Sequence, residues 1–238
     1  MSTLLKGPSD GRQAQRPEPR PGGGVAGGSG GVEAERAATE AFFGAMYYAG
    51  LRPEEAVELR MPNLDLPAVG WGEIHLDHAA PDAGSAWTNN GESRERRQLK
   101  HRGVGDGRTV PCPPQLTALL RAHLQRFGVD QDGRLFRGVR QGRQPDSSTY
   151  ERAWRKAREA VLTPAQARSP LGRRPYDLRH AAVSTWLNAG VGAAQVAEWA
   201  GHSLKVLLDI YAHCIDGEES AARRRIDAAL AEARQSSH

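Results

Sequence analysis

Four short segments carry side chains that could act together on an anion. In Gly50-Leu51-Arg52-Pro53-Glu54-Glu55, Arg52 follows a glycine and precedes a proline suited to the first turn of a helix. A guanidinium at a helix N-terminus can reach a bound oxyanion, and Glu55, one turn on, can hold it by a charge-assisted pair. An ordinary surface ion pair would leave the same trace. Lys100 lies in a basic stretch. On a flexible hairpin it could protonate a leaving oxygen, or it could be solvated. Pro175-Tyr176-Asp177-Leu178-Arg179-His180 sets Arg179 and His180 at a helix start, where Asp177 can also serve as a cap. Gly201-His202-Ser203 is followed, nine residues after the histidine, by Tyr211 in the apolar run Leu208-Asp209-Ile210-Tyr211. A tyrosine late in such a helix is ordinarily core. Each segment alone has a plain structural reading, and it is their combination that carries weight.

In order and content the segments resemble the phage integrase, or tyrosine recombinase, family. That family has a first arginine in a G-L-R-x-x-E context, a hairpin lysine, an H-x-L-R-H segment, a G-H pair and a tyrosine about nine residues after that histidine. This chain offers Gly50-Leu51-Arg52 with Glu55, then Lys100, Asp177-Leu178-Arg179-His180, Gly201-His202 and Tyr211. The resemblance spans about residues 37–234.

The resemblance implies an enzyme for site-specific DNA recombination and integration, acting on double-stranded DNA. Tyr211 would attack a backbone phosphate and form a 3′-phosphotyrosine link. Arg52 and Arg179 would clamp the nonbridging oxygens, where bidentate bonds strengthen as charge develops. His202 would donate to the same phosphate, and Lys100 would protonate the departing 5′-oxygen. Glu55 and His180 would be supporting residues. The covalent link keeps the bond energy, so neither cofactor nor metal is expected. Self-association on DNA, as a four-protomer synapse, is implied as well. Two departures stand out. Tyr176 occupies the position where most of the family has histidine, three residues before the second arginine. A phenol is a poorer base than an imidazole at neutral pH, so altered rather than abolished activity is expected. Family members also carry a helical core-binding domain ahead of the catalytic domain, and none is apparent here.

The elements that must position these residues are legible in part. Residues 1–35, rich in Gly, Pro and Arg, bury too little apolar surface to order and are expected to form a disordered tail. Residues 36–238 are expected to form the catalytic domain. Apolar residues recur at helical spacing over Ala37–Tyr48, with Gly50 as a stop and Pro53 opening a second helix to about Met61. Gly70 to Leu76 alternates as a strand does, and a polar loop is expected over 77–93. Arg97–Lys100 and Arg108–Pro111 flank a glycine-rich turn and predict a hairpin with each other. Helices are expected after Pro114, over 149–161, and at about 177–189, 193–200, 203–213 and 218–234. The fold class is α+β, mainly α-helical, with a small antiparallel β-sheet: the tyrosine recombinase catalytic-domain fold.

Bulk properties agree with a nucleic-acid partner without requiring one. The 238 residues carry a formal net charge of +4, and six basic residues fall between Arg94 and Arg108. The two cysteines, Cys112 and Cys214, have no metal-ligand spacing and supply no disulfide framework. No apolar run is long enough for a membrane span or a secretory signal, so the cytoplasm is the expected compartment. Two rival readings remain. One is a truncated, catalytically impaired integrase that only binds DNA. The other is a helix-turn-helix regulator built on 188–211, whose recognition helix would be too apolar for bases and phosphates.

Overall fold

The computed structural model describes residues 29–81, 97–99, 106–138, 144–215 and 219–235. Helix α1 (Ser29–Tyr48) begins eight residues before the start that its apolar spacing marks. Ala41, Phe42, Ala45, Met46 and Ala49 form its buried stripe. Gly50 ends it at φ 58°, and the Leu51 N–H returns to the Ala45 carbonyl at 3.3 Å. A Cβ at Gly50 would lie 2.8 Å from the Trp186 ring, so both conformation and space call for glycine.

Helix α2 (Pro53–Glu58) then starts at once, with Pro53 at its first position and Arg52 as the extended N-cap. A 3-10 turn, Met61–Asn63, leads into the sheet. Strands β1 (Leu64–Asp65), β2 (Gly72–Leu76) and β5 (Arg108–Cys112) pair antiparallel in the order β1-β2-β5. Both long strands alternate in burial, and Ile74 opposite Val110 is fully buried on the inner face.

The expected hairpin between 97–100 and 108–111 is not what forms. Strand β5 pairs with β2, whereas β4 (Arg97–Gln98) pairs with β3 (His78–Ala79), inside the segment read as polar loop. Alternation marks a strand but not its partner. The five-residue register with β2 buries more apolar surface than two short basic runs could bury against each other.

The remaining helices are α3 (Pro114–Phe127), α4 (Ser147–Val161), α5 (Pro164–Arg168), α6 (Asp177–Asn188), α7 (Ala193–Ala200), α8 (Leu204–Ile215) and α9 (Glu219–Gln235). One core lies among α1, α2, α3 and the sheet. A smaller one joins α6, α7 and α8 through Val183, Leu187, Val196, Ala197, Ala200, Leu207 and Tyr211. Trp186 packs on both, and its ring meets Trp199 edge-on at 5.6 Å. Of the residues singled out from the sequence, Arg52, Glu55, Tyr176, Arg179, His180, His202 and Tyr211 meet near this seam. No helix among the described residues is long and apolar enough to cross a membrane.

Candidate active site

Glu55 is the hub of the first half of the site. As the third residue of α2 it accepts from the Arg52 backbone N–H at 2.8 Å, and its other oxygen takes Arg52 Nη1 at 2.8 Å. Arg108, from β5, grips both oxygens of the same carboxylate, each at 2.8 Å. Burial alone would raise the carboxyl pKa. The guanidiniums of Arg108, Arg52 and Arg179 overcome that and hold it at about 2. Glu55 is thus ionised and buried, and it keeps two arginines in fixed geometry.

Three arginines converge on the C-terminus of α7. Its last carbonyls lack partners within the helix and carry the negative end of the dipole. Trp199 O accepts from Arg108 Nε at 2.9 Å, Ala200 O from Arg179 Nη2, and Gly201 O from Arg52 Nη2 at 2.9 Å. Gly201 stands at φ 62°, and a Cβ there would lie 3.0 Å from Arg108, so the Gly-His pair is where the chain can turn against a guanidinium. Arg179 is fully buried and also donates to Gly50 O, which ties α6 to the α1–α2 junction. Burial lowers its pKa, with Glu55 as the main opposing influence.

His202 follows the turn. Arg179 Nη2 lies 2.9 Å from its Nε2. Arginine can only donate, so Nε2 accepts and Nδ1 carries the proton. Burial and the positive charges of Arg179, Arg52 and Arg108 push the His202 pKa down to about 4. At neutral pH the ring is therefore a neutral Nδ1–H donor. That nitrogen and Arg179 Nε are buried and have no partner among the described residues. Unpaired buried donors are costly unless something else accepts from them.

Tyr211, 2% exposed on α8, stacks on His202 with centroids 6.4 Å apart and planes at 26°. Its hydroxyl lies 2.7 Å from His180 Nδ1. Tyr176, just ahead of α6, packs edge-on against His180 at 5.2 Å and acts electrostatically on both Arg52 and Arg179.

A model of the phage integrase family matches residues 32–218. The chain belongs to the phage integrase family. Solved recombinases share its fold. XerH site-specific recombinase bound to difH has TM-score 0.54 and 16% identity, over 74% of this chain and 43% of that one. The Tn1549 transposon integrase with a circular-intermediate DNA has TM-score 0.60 and 17% identity, over 83% and 64%. XerA recombinase has TM-score 0.51 and 20% identity, over 88% and 66%. The chain spans less than two thirds of the length of each of these proteins. No curated protein matches it in sequence.

Within this phage integrase domain, Arg52, Glu55, Tyr176, Arg179, His180, His202 and Tyr211 come together across some 160 residues of chain. Lys100 lies outside the described residues. Among those described, no group of acidic, histidine or cysteine side chains could hold a metal ion. Sequence reasoning treated Arg108 as part of a phosphate-binding basic stretch. Instead its guanidinium is buried on Glu55 and Trp199 O. The only signal in the sequence was an arginine in an inward position of an alternating strand.

Proposed function

We propose that the domain cuts and rejoins double-stranded DNA at a specific site through a tyrosyl-DNA intermediate, as a site-specific recombinase or integrase does. The observation that carries this reading is the placement of the Tyr211 hydroxyl beside a buried cationic cluster that still has donors to give. Two of the five Arg52 side-chain donors are used among the described residues, which leaves three. Arg179 uses three and keeps two. His202 keeps its Nδ1–H. A phosphodiester seated there would have its nonbridging oxygens met by fixed donors whose bonds strengthen as charge builds.

In this reading Tyr211 Oη attacks phosphorus, the P–O5′ bond breaks, and the 3′-phosphate stays on the tyrosine. Lys100 is assigned, by resemblance alone, the proton for the departing 5′-oxygen. A second 5′-hydroxyl reverses the step, so no external energy source is consumed. The exposed Arg152, Arg155, Lys156, Arg173 and Arg174 supply cations for backbone phosphates. XerH and the Tn1549 integrase were solved with DNA bound, which supports the same class of partner.

Helix α9 supports self-association on DNA. Ile226 and Leu230, one turn apart, are 58% and 53% exposed. Arg225 on the same helix approaches Gly190 so closely that any side chain there would collide with it. The basic stretch of α9 thus touches its own domain while the apolar edge stays open to a second protomer, in a tetrameric synapse. Deleting 218–238 should spare adduct formation and reduce assembly on DNA. Unchanged light scattering of the truncated chain on DNA would refute that part.

The test of the main reading is a pool of nicked duplexes of randomised sequence, incubated with the full chain and resolved under denaturing conditions. A protein–DNA adduct that Tyr211→Phe abolishes is expected. A mobility shift without adduct across the pool would favour a DNA-binding domain that does not cut.

A further inference from the structure

One imidazole is already on the attacking atom. His180 Nδ1 lies 2.7 Å from Tyr211 Oη, with ring centroids 5.7 Å apart, so a half-buried imidazole on α6 meets a core tyrosine on α8. Two other side chains beside it are poorly suited to take its proton. His202 stacks on Tyr211, but its Nε2 is occupied by Arg179 and its Nδ1 holds a hydrogen, so no lone pair is free. Tyr176, where the resembled family has an imidazole, is a phenol and turns its ring toward His180. Residues 176 and 180 are one helical turn apart. Of the two imidazoles in the family's H-x-L-R-H segment, this chain keeps the second, His180, and it touches the hydroxyl of Tyr211.

We propose that His180 is the general base of this chain, accepting the Tyr211 proton at Nδ1 as the nucleophile attacks. The role rests on the strand-cleavage reading above. In the forward step the Oη–H proton passes to Nδ1, the Oη–P bond forms, and the P–O5′ bond breaks with its electron pair on O5′, which is protonated by the general acid. His180 is then an imidazolium. On rejoining, the 5′-hydroxyl attacks phosphorus and returns its proton to the general acid, the Oη–P bond breaks, and the imidazolium returns its proton to Oη. Nothing is oxidised or reduced, and each proton is recovered.

The surroundings suit a base that is neutral when needed. Burial and the adjacent Arg179 lower the His180 pKa, and Asp177 opposes them. The groups facing the ring are Tyr176 just ahead of α6, Asp177 and Arg179 on α6, and Tyr211 on α8, with His202 beyond the tyrosine. The only carboxylate among them is Asp177.

Two measurements on the full chain test the role. The first needs no DNA. Nitrogen NMR of the histidine rings should find His180 protonated on Nε2 and accepting at Nδ1, with the Nδ1 resonance shifting in Tyr211→Phe. A proton resident on Nδ1 would overturn the proposal.

The second uses the nicked duplex selected by the wild-type chain, at saturating DNA. His180→Gln can still accept a hydrogen bond but cannot hold a proton. Both it and His180→Ala should slow adduct formation by about a hundredfold or more. Both should also lose the acid-side inflection of the pH–rate profile, and added imidazole should restore part of the rate to the alanine variant. A His180→Gln rate near wild type, with the inflection kept, would show a merely positional side chain and overturn the role. No wild-type adduct on any duplex would instead remove the cleavage reading, and this role with it.

Discussion

Arg108 and Glu55, 53 residues apart in sequence, form a two-pronged ion pair with both bonds at 2.8 Å and both side chains 1% exposed. Removing Arg108 withdraws two of the four bonds to the buried Glu55 carboxylate and leaves Arg52 alone to compensate its charge. Arg108→Ala should therefore cost about 3–5 kcal/mol of unfolding free energy, read from urea denaturation. A loss below 1 kcal/mol would mean that water reaches Glu55.

The same carboxylate sets an acid limit. Its folded pKa of about 2 lies below the ordinary 4.5, so the folded state holds the proton less tightly than the unfolded chain. The resulting stability is fully present above pH 4.5 and is lost as pH falls toward 2. It amounts to about 3 kcal/mol. His202 acts in the same direction over a higher window, between its ordinary 6.5 and its folded value of about 4. Thermal melts from pH 7 to 3 should show a falling melting temperature, with a shallower slope below pH 4.5 in Glu55→Gln. Parallel curves for the two proteins would contradict the assignment.

Arg52 and Arg179 should separate chemistry from folding. Arg52 has 13% of its side chain exposed and leaves Glu55 its pair with Arg108. Arg52→Ala should slow adduct formation about 10²–10³-fold with a small change in melting temperature. Arg179 is wholly buried and serves the carbonyls of Gly50 and Ala200. Arg179→Ala leaves both acceptors unpaired, at about 1–3 kcal/mol each, so cleavage and stability should fall together. Equal melting temperatures for the two variants would refute the distinction.

Tyr211→Phe removes one hydroxyl and keeps the ring packed on His202. It should abolish the covalent adduct and shift the melting temperature by a few degrees at most. An adduct that survives denaturation in this variant would assign the nucleophile elsewhere.

DNA binding should weaken steeply with salt. Each phosphate contact removed flattens the slope of log affinity against log salt by about 0.9. Arg155→Ala with Arg173→Ala, both at exposed positions, should reduce the slope measurably, whereas the buried Arg108 should not contribute a contact. An unchanged slope in the double variant would remove this face from the interface.

Local pattern carried most of the fold. Helices α6 and α7 begin and end within a residue of where Gly190, Gly201 and the apolar spacing put them. Glu55 beside Arg52 was readable because a capping carboxylate three residues on is a local motif. What was not readable was pairing at a distance. Strand β5 alternates equally well against β4 or β2, and nothing in Gly107-Arg108-Thr109 says that its guanidinium turns inward to a helix start 53 residues earlier. The short α5 and the 3-10 turn escaped because neither has enough turns to show a period. His180 was visible only as a supporting residue, since its contact with Tyr211 depends on how α6 and α8 pack.

Arg179 is held by main-chain oxygens and an imidazole rather than by a carboxylate. An acid partner would absorb its field, whereas neutral dipoles orient the side chain and leave its charge uncancelled. Among the described side chains bonded together there, the guanidiniums of Arg52, Arg108 and Arg179 outnumber the carboxylate of Glu55. Like charges held this close repel one another, so an oxyanion bound among them should stiffen the domain as well as occupy it.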